Sequence, residues 1–343
     1  MLKYDISTEE KLDELLSTPT RGLADDLLKL DGDIMVLGAG GKVGPTLCVM
    51  LQRAVEMSGK DRKVYAVSRF SDPFVVKLME KEHIHTISCD LTDEDQVAKL
   101  PKVENIIFMA GRKFGTSGSA CETWEMNVAV PSIVTRHFGA ARYVVFSTGN
   151  VYPFSPAGGP GSKEGDELGP IGEYAMSSMG RERMFEYAAK HYGAKVLMFR
   201  LNYAVDLRYG VLSDTAQHIL AGEPVGLKVP SFNCVWQGYV NEVAIRALLL
   251  ASENVEYLNI TGPEIYTVRE AAAKLAKALG TEVSFAGEEG EKALLSDASK
   301  CFKLYGYPTI TTEELIEMQA AWLLEGGRQL GKPTHFEENK GKF

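Results

Sequence analysis

Residues 33–45 read Asp33-Ile34-Met35-Val36-Leu37-Gly38-Ala39-Gly40-Gly41-Lys42-Val43-Gly44-Pro45, and their types and spacing suit the binding of a pyrophosphate. Glycines let the backbone bend sharply and approach the phosphates, while the open N–H groups and dipole of a following helix favour their negative charge. Gly38, Gly41 and Gly44 form G-x-x-G-x-x-G. Val43 stands where the last glycine of G-x-G-x-x-G belongs, and no glycine precedes Gly41 by five residues as a Walker loop needs. A second indication follows the next apolar run. At the end of that strand a carboxylate would bind the ribose 2′-OH of NAD, and an arginine would accommodate the 2′-phosphate of NADP. Ser68 and Arg69 stand there, which favours NADP.

The elements that position these residues alternate regularly. Residues 34–37, 63–67, 85–88, 105–109, 143–147 and 195–201 read as strands, with helical stretches between them, which predicts a doubly wound parallel sheet. Residues 46–57 read as the helix after the glycine turn, with Pro45 in its first turn. Leu12, Leu15 and Leu16, then Leu23, Leu27 and Leu28, suggest two short amphipathic helices before the first strand. Residues 153–170, rich in Gly, Pro and Ser, form a loop beside a ligand crevice. Beyond Val205 the alternation breaks up. The expected organisation is an N-terminal helical extension (1–30), a dinucleotide-binding domain (31–204, with 238–262 contributing), a smaller substrate-binding cap (205–330) closed by a helix over 311–325, and a polar tail (331–343).

Composition narrows the class. The chain has 343 residues, 45% hydrophobic and 24% charged, with a net charge of -9. That balance argues against nucleic acid or an anionic membrane surface as partner. No apolar run approaches the roughly 20 residues of a membrane span, and the polar N-terminus lacks a secretory pattern, so a cytoplasmic protein is expected. Five cysteines, Cys48, Cys89, Cys121, Cys234 and Cys301, are scattered without C-x-x-C spacing, and the histidines lack metal spacing, so neither a disulfide framework nor a metal site is expected.

Taken with the glycine turn, a series of later motifs resembles the extended short-chain dehydrogenase/reductases, the NAD-dependent epimerase/dehydratase family, over residues 33–325. Cys89-Asp90-Leu91-Thr92 is similar to the family's acidic pair, in which Asp90 would hold the adenine with Leu91 beside it. Met109-Ala110-Gly111-Arg112-Lys113 resembles the stretch lining the cofactor, with Lys113 within reach of the phosphates. Asn127 matches the helix asparagine. Phe146-Ser147-Thr148-Gly149-Asn150-Val151-Tyr152 resembles the segment whose Thr148 would bind the reacting hydroxyl, and Tyr174 follows at the family's spacing. Arg200-Leu201-Asn202-Tyr203, Tyr239-Val240-Asn241-Glu242-Val243 and Leu258-Asn259-Ile260-Thr261-Gly262 are similar to three later markers. The resemblance implies a Rossmann-type fold, an NAD(P) cofactor held by Gly38, Gly41, Lys42, Val43, Gly44, Ser68, Arg69, Asp90, Leu91, Met109, Ala110, Gly111, Lys113 and Asn127, and a homodimer through helices at 122–138 and 176–191.

It also implies a chemistry. Hydride transfer at a carbinol carbon needs the hydroxyl proton moved in step, and a tyrosine beside the nicotinamide does this. A free phenol has a pKa near 10, so a lysine four residues on supplies charge in the family. Here Ser178 stands in that place. Two readings follow. Tyr174 acts as acid/base with Thr148 and Ser178 in the catalytic group, another cation (Lys113, Arg181 or the Lys163 loop) supplying the field; or the site binds dinucleotide without turnover, as a sensor or scaffold. The diphosphate-gripping arginine expected before Tyr239 is absent from Asn233-Cys234-Val235-Trp236-Gln237-Gly238, which points to a free sugar, sugar acid or similar polyol. Expected substrate contacts are Lys113, Phe114, Thr116, Asn150, Asn202, Arg208, Tyr209 and Trp236.

Overall fold

The computed structural model describes residues 2–113 and 118–341. Seven strands, β1 (Ile34–Leu37), β2 (Val64–Ser68), β3 (His85–Ser88), β4 (Asn105–Phe108), β5 (Arg142–Thr148), β6 (Lys195–Leu201) and β7 (Glu256–Ile260), form one sheet in the order β3-β2-β1-β4-β5-β6-β7. Every neighbouring pair is parallel, so each connection crosses over and helices cover both faces. Burial follows position. Every residue of β1 and β4 is buried, whereas edge strand β3 exposes His85 and Ser88. The order reverses between β1 and β4, which opens a crevice at their carboxyl ends.

Helices α1 (Glu9–Ser17), α2 (Arg21–Leu27), α3 (Gly44–Ser58), α4 (Val130–Phe138), α5 (Gly172–Tyr192), α6 (Val211–Leu220) and α7 (Gln237–Arg246) set the layers around the site. Side chains alternate across β1. Ile34 and Val36 pack into a cluster with Leu47, Val240 and Val243, and Met35 and Leu37 into one with Phe108, Val134 and Phe185 on the other face. A separate apolar cluster fills the cap, from Val205 and Leu212 to Phe232, Leu275 and Leu315. The two N-terminal helices, capped by Thr8 and Thr20, are shared between clusters: Leu12 and Leu16 enter the cap, Leu23 and Leu27 the sheet layer. The extension therefore joins the two layers.

One expected helix is broken. Residues 122–138 contain a wide turn at Glu125–Ala129, where the Val130 N–H bonds five residues back to Glu125. Pro131 has no N–H to give the carbonyl of Asn127, so the normal ladder cannot run through this point. The wider turn places Asn127 inside, fully buried.

The long helix α5 is held to the sheet by a charged pair. Glu182 (0% exposed) and Arg200 (3%) meet in the interior. Arg200 donates to both carboxylate oxygens at 2.9 and 2.7 Å, and Ser147 Oγ donates to Glu182 at 2.6 Å. Arg200 also donates to Tyr152, whose hydroxyl donates to Asn259 at 2.8 Å. Removing one partner of such a pair leaves a buried charge and costs about 3–5 kcal/mol. Arg200→Met is therefore expected to lose that much unfolding free energy in urea denaturation; a loss below about 1 kcal/mol would show that the pair does not hold α5.

Candidate functional site

The glycine turn begins where β1 ends. The N–H groups of Gly38 and Ala39 both donate to Val67 O, at 2.9 and 3.1 Å, and Gly41 N–H donates to Gly38 O at 3.2 Å, which folds the chain back tightly. Gly38 has φ +90°, and a Cβ there would lie 2.6 Å from Ala110 N, so the end of β4 lies directly against it. A Cβ on Gly44 would drive into the Ala39 carbonyl. No side chain caps α3, in contrast to the helices capped by Thr8, Thr20 and Asp72. Open first-turn N–H groups behind a close-packed glycine turn fit a pyrophosphate. Ser68 and Arg69 follow at the end of β2. Arg69 is 69% exposed, with Nη1 3.9 Å from Asp90 Oδ2. The other Asp90 oxygen accepts from Thr92 N–H and Oγ at 3.1 and 2.9 Å, which shapes the turn in which Leu91 is buried.

Two lysines lie on this side. Lys42 Nζ sits 3.2 Å from the centre of the Tyr209 ring. Burial, with Lys113 and Lys332 nearby, lowers its pKa to about 7 against an opposing pull from Asp214. Lys113, just past Met109, Ala110 and Gly111, is lowered to about 8, again by burial and against Asp214.

The residues expected to be catalytic lie where β5 meets α5, which packs on that strand and on the turn Gly149–Val151. Thr148 ends β5, and its hydroxyl oxygen accepts from Asn150 N–H and Nδ2 at 3.2 and 3.1 Å. Tyr174 lies in the first turn of α5, with Lys113 Nζ 5.9 Å from its ring centre. Ser178 is fully buried, and its Oγ has no hydrogen bond to a described residue. Three residues further along α5, Arg181 is buried too. It donates to Phe146 O at 2.7 Å and to Asn127 Oδ1 at 2.6 Å. Its guanidinium lies so close to Gly111 that a Cβ there would collide with it. Burial lowers the Arg181 pKa, and Tyr174 is the larger of the two groups opposing that shift. Asn127 completes the frame, accepting from Arg112 N–H at 2.8 Å and donating to Arg112 O and Ser177 Oγ at 3.0 and 2.9 Å.

Other expected contacts lie elsewhere. Arg208 is buried and paired with Asp206 and Asp13, both at 2.8 Å, which raises its pKa and fixes it between the cap and α1. Trp236 belongs to the cap cluster. Asn202 donates to Asn233 Oδ1 and Leu294 O, both at 3.2 Å, in the floor below Gly149. Lys163 reaches Asp297 at 3.9 Å. Val43 is the N-cap position of α3 and packs against the sheet-layer cluster. Phe114 and Thr116 lie outside the described residues. Sequence reasoning missed Asp214 and the tail residue Thr334, whose N–H and Oγ both donate to Asp214 Oδ2 at 2.6 Å. A lone acid in the apolar run Val211-Leu212-Ser213-Asp214-Thr215-Ala216 was the available signal. No group of three or more candidate metal ligands occurs among the described residues, nor does a helix long and apolar enough to cross a membrane.

Solved structures share this fold. UDP-glucuronic acid 4-epimerase from Bacillus cereus, in complex with NAD, superposes with a TM-score of 0.69 at 17% identity, covering 85% of this chain and 99% of that one. UDP-glucose 4-epimerase from Thermotoga maritima, with UDP-glucose, gives 0.67 at 19% identity, covering 86% and 99%. The Thermus thermophilus UDP-glucose 4-epimerase complex with NAD gives 0.68 at 18%, covering 84% and 98%. No curated protein matches the sequence. With the G-x-x-G-x-x-G turn at the reversal of a parallel sheet and residues 34–256 matching its family model, the chain belongs to the NAD dependent epimerase/dehydratase family.

Proposed function

We propose that the protein is an NAD(P)-dependent oxidoreductase, epimerase or dehydratase acting on a hydroxyl of a sugar, sugar acid or similar polyol, with Tyr174 as acid/base. The observation that carries this reading is the placing of Tyr174 beside Lys113 and on one helix face with buried Arg181, at the same end of the sheet as Thr148 and the glycine turn. The bound nicotinamide supplies a hydride acceptor and donor. Thr148 orients the substrate hydroxyl and Tyr174 takes or returns its proton. Arg181, seven residues after Tyr174, and Lys113 provide the positive field that Ser178 cannot. Asn127 and Phe146 O hold the guanidinium in place.

Cofactor and substrate follow from the same residues. Arg69 just past β2 supports a 2′-phosphate and so NADP, although two of the solved neighbours named above are complexes with NAD. Tighter binding of NAD than of NADP would reverse this choice. The solved neighbours are UDP-sugar epimerases, but residues 233–237 of this chain are buried and include no cation to grip a diphosphate. A free sugar or sugar acid fits that stretch better. Thermal stabilisation by UDP-glucose but not by free sugars would overturn it.

Turnover on a sugar and sugar-acid panel, followed at the reduced-nicotinamide absorbance band, tests the reading. Tyr174→Phe is expected to lose a factor of about 10²–10⁴ in kcat while still binding the dinucleotide. Arg181→Met should move the rising limb of the kcat profile to higher pH, and Arg181→Lys should restore part of it. Full turnover by the Tyr174→Phe enzyme would refute the assignment. Silence on every substrate, with tight dinucleotide binding, would favour the sensor reading.

The lysines give a second expectation. Lys42 and Lys113 have pKa values lowered to about 7 and about 8 by burial, and a bound phosphate favours their charged forms. Dinucleotide binding should therefore take up protons near neutrality and weaken as pH rises from 7 to 9. In Lys42→Met, titration calorimetry in buffers of different ionisation enthalpy should show reduced proton uptake; unchanged uptake would remove Lys42 from the phosphate site.

A further inference from the structure

The chain beyond the cap's last helix turns back into the cleft. Gln329 Nε2 donates to Leu207 O at 3.1 Å, and Leu330 N–H donates to Arg208 O at 2.9 Å, which anchors the point of departure. Three side chains or backbone groups then mark its course. Thr334, 3% exposed, donates twice to Asp214 of α6, and its carbonyl accepts from Lys113 Nζ at 3.3 Å. Phe336 is buried in the cap cluster. Gly341 packs against the backbone of Ile171 and Gly172, two and three residues before Tyr174. With Glu338 it closes over Asn150, Tyr152 and Phe154, leaving a cavity of about 10 Å³, room for one water.

These contacts coincide with the substrate end of the site. Lys113 reaches in from the β4 side and Asp214 from the cap, and Thr334 bridges them with one acceptor and two donors. That is the hydrogen-bonding pattern of a hydroxylated ligand: an oxygen toward a cation and O–H groups toward a carboxylate. The covered residue Asn150 stands beside Thr148. A sugar cannot reach Lys113, Asp214 and Asn150 while residues 331–341 lie there, since the same groups and the same volume are engaged.

We propose that residues 331–341 form an autoinhibitory strap, in which Thr334 stands in for substrate between Lys113 and Asp214 and must leave before a polyol can bind. The inference rests on the reading of this cleft as a sugar site. Binding of substrate then carries the free energy of displacing the strap, so weakening the strap strengthens apparent affinity.

Hydrogen exchange and ligand binding on the full chain test this, with NADP present and D-glucuronate and UDP-glucose as probes. Thr334→Asp places a second carboxylate against Asp214, and Phe336→Ser removes the apolar anchor; both keep the whole chain. Exchange of residues 331–341 is expected to rise in both variants without ligand, and in the wild type when a probe binds. The dissociation constant of the bound probe should fall about tenfold in Thr334→Asp. A probe that binds the wild type while residues 331–341 stay protected, or that binds the loosened variants no better, overturns the strap and leaves the sugar-site reading standing. If neither probe binds any form, the sugar-site reading fails and the strap's competitive role falls with it.

Discussion

The carboxylate of Glu182 fixes the geometry on which the rest of the site depends. It lies in the interior, where an ion is tolerated only with good partners. It has three donors, from Ser147 Oγ, Arg200 Nε and Arg200 Nη2. Ser147 belongs to β5, Arg200 to β6 and Glu182 to α5, so one buried group sets the register of the long helix against two adjacent strands. Slipping α5 by one residue would turn Glu182 away from these donors and leave a buried charge unpaired. Because Tyr174, Ser178 and Arg181 sit on the same helix, that register also sets their places along it, and it brings Arg181 against Gly111.

A second constraint holds a buried cation, Arg181, on α5 beyond Ser178. Arg181 stands three residues beyond Ser178, nearly one turn further along α5, and its guanidinium lies against Gly111. Its path is open because residue 111 has no side chain and because Asn127 turns inward from the widened helix before Pro131. Asn127 accepts from both Arg181 and the Arg112 backbone and donates to Ser177. The same asparagine thus ties the cation to the segment that carries Lys113. A guanidinium keeps its charge under burial that neutralises an amine, so under the proposed mechanism Arg181 would supply a permanent charge where a lysine would supply a titratable one.

How much of this the sequence disclosed depends on the range of the interactions. The glycine turn and the parallel strands are local patterns with a known period, and they were legible. The resemblance placed Thr148, Tyr174 and Asn127 on elements that meet at one end of the sheet. Arg208 and Trp236 were expected at the substrate, but a charge or an aromatic ring in a cap segment reads the same whether it faces a ligand or a neighbour. Arg208 found Asp13 and Asp206, and Trp236 found the cap core. Asp214 stands out only as a lone acid in its run, and what it binds is not legible because its partner, Thr334, is 120 residues away in the chain. The helix break at Glu125–Ala129 was hidden because its cause is one missing N–H, which apolar periodicity does not register.

The N-terminal extension and the tail together account for how the cleft holds its form. Arg208 is gripped by Asp206 from the cap and by Asp13 from α1, and its own carbonyl accepts from Leu330 where the tail departs. Leu12 and Leu16 join the cap while Leu23 and Leu27 join the sheet layer, and Asn241 of α7 donates to Leu16 O and to Thr46 Oγ of α3. Both ends of the chain therefore bear on the cap, one as a bracket across the layers and the other as a strap across the opening. They differ in what releasing them would cost. The bracket is built of fully buried leucines and paired charges, so loosening it would expose core. The strap rests on one buried phenylalanine, the hydrogen bonds of one threonine and the packing of Gly341 on Ile171 and Gly172, a scale that binding a small polyol can match.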